Sequence, residues 1–140
     1  MSEIDDRIKQ NVREWVSFAD GDLEFAHHGL NLATGKTYRI VAYHAQQSVE
    51  KYLKSYLVYR RIDFPYTHNI TQILALCGET AKWTKEIEDA KSLTPYVSTL
   101  RYPGIDIKAT REEAIRAVEI ADHVREVVKS ALIAEGVELE

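Results

Sequence analysis

The densest set of side chains able to do chemistry lies in fifteen residues, Tyr43 to Leu57. His44, Gln47, Lys51 and Lys54 follow one another at spacings of three and four, so a helix lines them along one face. Gln46 and Glu50 flank that row, while Ala42, Ala45, Val49, Leu53 and Tyr56 make the apolar side. Two lysines in register suit a phosphate, and Gln47 is placed to read a base edge. The plainer alternative, which composition favours, is a solvated face carrying Glu50 and Lys54 as an i,i+4 ion pair of about 0.2–0.5 kcal/mol. A third arrangement is a buried polar network that positions other groups.

Other candidates come singly. Asp22 falls among Trp15, Phe18, Ala19 and Ala26 on the apolar stripe of the first helical segment. A carboxylate there either pairs with Lys51 or Arg101 in a polar pocket or reaches water from the stripe's edge. Arg101 opens an Arg-Tyr-Pro-Gly loop. Its rigid fork of donors suits carboxylate or phosphate, and equally suits the carbonyls that end a helix. The five histidines, His27, His28, His44, His68 and His123, show no His-x-x-x-His pair and no cysteine cluster, so no metal site is expected. No cofactor-binding glycine loop and no Ser-His-Asp context is present. Cys77 stands next to Leu76 and near Leu74, as a buried structural thiol would.

The elements that must hold these groups are all helical. With 140 residues, six glycines, three prolines and no strand-like alternation, the chain reads as one domain over residues 1–140. The first helix is predicted from about Asp5 to Leu32 on Ile8, Val12, Trp15, Phe18, Ala19, Asp22, Phe25, Ala26 and Gly29. The second runs from about Tyr38 to Arg61, with Tyr52, Tyr56 and Tyr59 in the core or an interface. The third starts near His68 or Asn69, capped by Thr67 or Asn69, with Ile70, Ile73, Leu74 and Cys77 inward and Gly78 as its stop. The fourth covers about Thr84 to Leu100 on Ile87, Ala90, Leu93, Val97 and Leu100, kinked or divided by Pro95. Thr110-Arg111-Glu112-Glu113 is a capping box that opens the fifth, which continues to about Ala134 on Ala114, Ala117, Val118, Ala121, Val124, Val128 and Leu132. The sum is an all-α, up-and-down antiparallel bundle of four to five helices.

A net charge of −4 argues against a uniformly basic nucleic-acid binder and leaves room for a local basic patch. No apolar run approaches the ~20 residues that cross a bilayer. The charged N-terminus and single cysteine fit a cytoplasmic protein with no membrane partner.

Three segments together resemble the HEPN domain family (higher eukaryotes and prokaryotes nucleotide-binding). Ala19 to Ala26 is similar to its opening acidic-Leu-small pattern, and His44 to Leu57 looks like its second-helix signature nearly residue for residue. The third likeness pairs Thr67-His68-Asn69-Ile70 with Arg101-Tyr102-Pro103-Gly104. The likeness spans residues 15 to 130, and its helix-two block is the specific part. It implies a bundle that commonly forms a homodimer, and often a prokaryotic partner, a minimal nucleotidyltransferase, in a toxin–antitoxin pair. Many members are metal-independent endoribonucleases using Arg followed after four to six residues by His. Here Arg101 is followed by Tyr102, Pro103, Gly104, Ile105, Asp106, Ile107 and Lys108, with no histidine. Arg39 and His44 have the spacing but lie in the helix-two signature. The chain therefore looks like the branch that binds a nucleotide, RNA phosphate or partner without that motif. Asp22, Gln47, Lys51 and Arg101 are its expected ligand residues, with His44, Glu50, His68 and Tyr102 as further candidates. The alternative is a ribonuclease with a variant site, using Arg101 with His44 or His68.

Overall fold

The computed structural model describes residues 3–32, 34–100 (side chains to 97) and 108–139. They form α1 (Glu3–Leu32), α2 (Tyr38–Tyr59), α3 (Ile70–Gly78), a 3₁₀ segment (Lys82–Leu100) and α4 (Arg111–Ala134), with no strand among them. The expected all-α helical bundle is what the chain builds.

The middle of the bundle is α2, which packs against α1, α3, α4 and the 3₁₀ segment. Thirteen of its 22 residues are buried, too many for a one-sided stripe, so this helix is enclosed on most of its circumference. Ala42, Ala45, Val49, Leu53 and Tyr56 are buried as expected, and Tyr52 joins them, while Tyr59 is half-buried. Ser48 and Ser55 are buried without cost to the ladder because each hydroxyl donates to the carbonyl three residues back, Ala45 at 2.7 Å and Tyr52 at 2.6 Å. Gly29 lets α1 come close, since a β-carbon there would stand 2.9 Å from Val41 Cγ2.

Local signals set the helix ends. Asn69 caps α3 by accepting from the Gln72 amide at 3.2 Å. Thr110 and Glu113 satisfy each other's backbone amides at 3.1 Å, the predicted capping box. The inward faces of α3 and α4 are those expected, with Ile120 and Lys129 added to the second.

Two expectations need correction. The buried face of α1 is Val12, Val16, Ala19, Leu23 and Ala26; Phe18 and Phe25 stand 67% and 56% exposed. One residue is about 100° of helix, so the large rings drew the predicted stripe onto the neighbouring face. Nor does Pro95 make the break in the fourth element, whose non-helical residue is the buried Ile87 (φ −126°, ψ 30°). Proline's fixed φ suits 3₁₀ dihedrals, so the ring is accommodated. Ile87, Ala90 and Leu93 point inward, Val97 is half-buried, and the expected inward Leu100 lies outside the described side chains.

Candidate functional site

The packing of α1 on α2 brings three of the nominated residues together. Asp22 of α1 sits over two turns of α2. His44 Nδ1 lies 3.1 Å from its Oδ1, and Lys51 Nζ donates to Oδ2 at 2.5 Å. This decides between the two readings of Asp22: the carboxylate is paired, with Lys51. All three side chains keep a solvent edge, at 15% for Asp22, 25% for His44 and 27% for Lys51. Burial alone would raise the Asp22 carboxyl, but the hydrogen bonds and charges of His44 and Lys51 outweigh it and hold it below its ordinary 3.8. At neutral pH Asp22 is therefore an anion that orients two donors. The ring of Phe25 leans on His44, with centroids 4.6 Å apart.

The remaining α2 candidates form a second, inner cluster. Glu50 accepts from Gln46 Nε2 at 3.2 Å, from His68 Nδ1 at 2.9 Å and, on its other oxygen, from Lys54 Nζ at 3.0 Å. Lys54 also donates to the Thr67 carbonyl at 3.1 Å, and its ammonium lies 5.6 Å from the Phe64 ring centroid. Gln47 donates to Gln46 at 2.7 Å, and Gln46 reaches the His68 carbonyl at 3.3 Å. Glu50 and Lys54 side chains are 4% and 7% exposed, so the solvated-face expectation is overturned. The i,i+4 pair exists, but the α3 approach, residues 64–69, covers it. His68 Nε2 is buried with no partner among the described residues. Arg101 and Tyr102 lie outside them.

A third cluster escaped the sequence reading. Asp20 accepts from Tyr52 Oη at 2.5 Å, Arg125 Nε at 3.2 Å and Lys129 Nζ at 2.9 Å, tying α1 and α2 to α4. Burial would raise Asp20, yet these donors carry it below its ordinary value, and burial with the Asp20 anion pushes the Tyr52 phenol up. The available signal was the i,i+4 cation pair on α4's edge, which calls for an acid on a neighbouring helix. An open groove of about 690 Å³ runs beside it, lined by residues including Arg13, Ser17, Asp20 and Lys129. Cys77 is buried as expected and pushed up to about 12 by desolvation, which makes it a poor nucleophile.

No three His, Cys, Asp or Glu side chains among the described residues are grouped to hold a metal ion, and no helix is long and apolar enough to cross a membrane.

A helical bundle around a polar central helix, with this signature on it, defines a family. The profile of the HEPN domain matches residues 12–131, so the chain belongs to the HEPN family. Among solved structures it is similar to an archaeal HEPN homologue, at 23% identity and a TM-score of 0.67 over 86% of this chain and 97% of that one. It is also similar to a protein of Thermus thermophilus, at 27% identity and a TM-score of 0.67 over 85% of this chain and 96% of that one. No curated protein matches it.

Proposed function

We propose that this HEPN-domain protein binds a phosphate-bearing ligand, a nucleotide or an RNA phosphate, at the α1–α2 surface, and that it acts beside a minimal nucleotidyltransferase in a toxin–antitoxin-type pair. The partner half of this reading rests on family membership alone. The ligand half rests on one observation: the Asp22 carboxylate holds Lys51 and His44 side by side at a solvent edge. Asp22 neutralises one charge but uses only one of the three Lys51 donors. The imidazole engaged through Nδ1 keeps Nε2 for a ligand. Gln47 sits half-buried between them on α2, and Arg101, outside the described residues, joins this reading on family likeness alone.

The test is binding of nucleotides and single-stranded RNA by the full chain. Lys51→Ala and Arg101→Ala should each weaken binding about tenfold or more, equivalent to ~1.4 kcal/mol. Affinity unchanged in both variants rejects the site.

The Asp22–His44 contact also favours a second reading, a metal-independent endoribonuclease. A carboxylate on Nδ1 fixes the tautomer whose Nε2 exchanges a proton with a 2′-hydroxyl. Arg39 does not complete that pair within one helix, because five residues place it about 140° around α2 from His44. Arg101 would have to. RNA cleavage in EDTA that disappears in both His44→Ala and Arg101→Ala supports this reading; no cleavage by the wild type removes it.

A further inference from the structure

Beside the outer cluster, α1 carries a cleft of about 210 Å³ lined by Asn11, Glu14, Trp15, Phe18 and Lys51. The four α1 residues follow spacings of three, one and three, so one helical face presents them, and Lys51 reaches in from α2. The lining divides by chemistry. Phe18, 67% exposed, and the half-buried Trp15 supply aromatic surface. The indole is held in place: Phe64 meets it edge-on with centroids 6.4 Å apart, and the Lys54 ammonium stands 6.0 Å from its centroid. Asn11 and Glu14 supply polar groups, and neither side chain has a hydrogen-bond or ion-pair partner among the described residues. Lys51 belongs to the cleft and to the outer cluster at once, because its Nζ donates to Asp22.

Aromatic surface beside an amide and a carboxylate suits a nucleobase, which stacks through its ring and is read at its edge. The cleft is smaller than the ~300 Å³ at which pockets for whole small ligands begin, so it takes a ring and not a complete nucleotide. The carboxylate selects among rings, because its two oxygens accept and do not donate. Guanine alone presents two neighbouring donors on its Watson–Crick edge, N1–H and the N2 amine, with the O6 acceptor beside them. Glu14 can take both donors while the Asn11 amide donates to O6. Adenine would set its N1 lone pair against the carboxylate, and cytosine and uracil each offer a single donor with acceptors next to it. An apolar side chain in the cleft would strip water from Asn11 and Glu14 and give them nothing to bond. A bare phosphate would meet the Glu14 charge.

We infer that this cleft is a guanine subsite: the ring stacks on Phe18 and Trp15, Glu14 accepts from N1–H and the N2 amine, Asn11 donates to O6, and the attached phosphate extends to Lys51. The inference rests on the phosphate-binding reading above. It adds a base identity, and it adds Asn11, Glu14, Trp15 and Phe18, which that reading does not use. The guanine is that of a free nucleotide or of single-stranded RNA, since both present the same ring and phosphate.

Fluorescence titration of the full chain carrying Trp83→Phe tests it. Trp15 is then the only tryptophan, and a base stacked on it quenches its emission. Trp83 meets Tyr56 edge-on, and Phe keeps a ring in that contact. Guanosine monophosphate should quench Trp15 and bind about tenfold or more tighter than adenosine monophosphate. Inosine monophosphate, which lacks the N2 amine, should fall between them. Calorimetric titration of the unaltered chain should give the same order. Glu14→Gln should lower affinity for guanosine monophosphate about tenfold and leave that for adenosine monophosphate unchanged. Phe18→Ala should weaken both. Glu14 and Phe18 are exposed, so neither change reaches the core. Where the free nucleotides do not bind, a hexaribonucleotide with one guanine should show the same preference over its all-adenine counterpart and the same dependence on Glu14, which assigns the ring to RNA. Equal affinity for guanine and adenine ligands that still falls in Lys51→Ala overturns the guanine subsite and leaves the phosphate site standing. A guanine preference that survives Glu14→Gln overturns the subsite as well. Binding of none of these ligands overturns both readings.

Discussion

Two clusters on α2 are built from the same residue types and serve opposite ends. The outer one joins Asp22, His44 and Lys51; the inner one joins Glu50, His68, Lys54 and Gln46. Each has a carboxylate accepting from a histidine Nδ1 and a lysine. They differ in what lies over them. The chain from Phe64 to Asn69 covers Glu50 and Lys54, leaving 4% and 7% of their side chains exposed, against 15% and 27% for Asp22 and Lys51. Burial makes the inner cluster a tie whose loss leaves an uncompensated charge, while the outer cluster still has solvent to exchange for a ligand.

That contrast is broken most directly by Lys54→Ala. It strands the Glu50 charge and should cost about 3–5 kcal/mol in denaturant unfolding, toward the lower end because His68 remains on the carboxylate. A cost under ~1 kcal/mol would mean that the inner cluster is not sealed. Lys51→Ala should cost at most about 1 kcal/mol, since its partner keeps His44 and a solvent edge, while lowering ligand affinity. Equal destabilisation by the two changes would erase the difference between the clusters.

Acid unfolding sharpens the outer half. The Asp22 and Asp20 carboxyls sit below their ordinary 3.8 in the folded chain. The stability they contribute is therefore fully present above that value and fades as pH falls toward the lower folded value, because over that window the unfolded chain takes up protons that the native carboxylates do not. Asp22→Asn and Asp20→Asn should each flatten the fall in stability below pH 3.8. A slope identical to the wild type's would show that neither pair is formed in solution. Glu50→Gln combined with Lys54→Met removes both charges of the inner cluster together. It should recover most of the loss seen in Lys54→Ala, ending within about 1–2 kcal/mol of wild type.

The helices were legible because their signals are local. The Thr110–Glu113 capping box, the Asn69 cap and the apolar faces of α3 and α4 each depend on residues within a turn or two. The α1 stripe was misread because two apolar rows, one residue apart, satisfy the same periodicity, and only the packing of α2 selects the row of smaller side chains. The Asp20 cluster was missed because its donors come from Tyr52, Arg125 and Lys129, 32 to 109 residues away.

The sequence by itself determined the class of fold, the helix ends and the family signature on α2, since these rest on periodicity, capping chemistry and residue identity. Tertiary structure alone decided which of the α2 polar groups are buried and which carboxylate each lysine meets. Asp22 could have reached water, and Glu50 with Lys54 could have been a surface pair. Choosing between those states depends on which segment packs over which helix face, and that sets whether an ion pair is screened by water or enclosed.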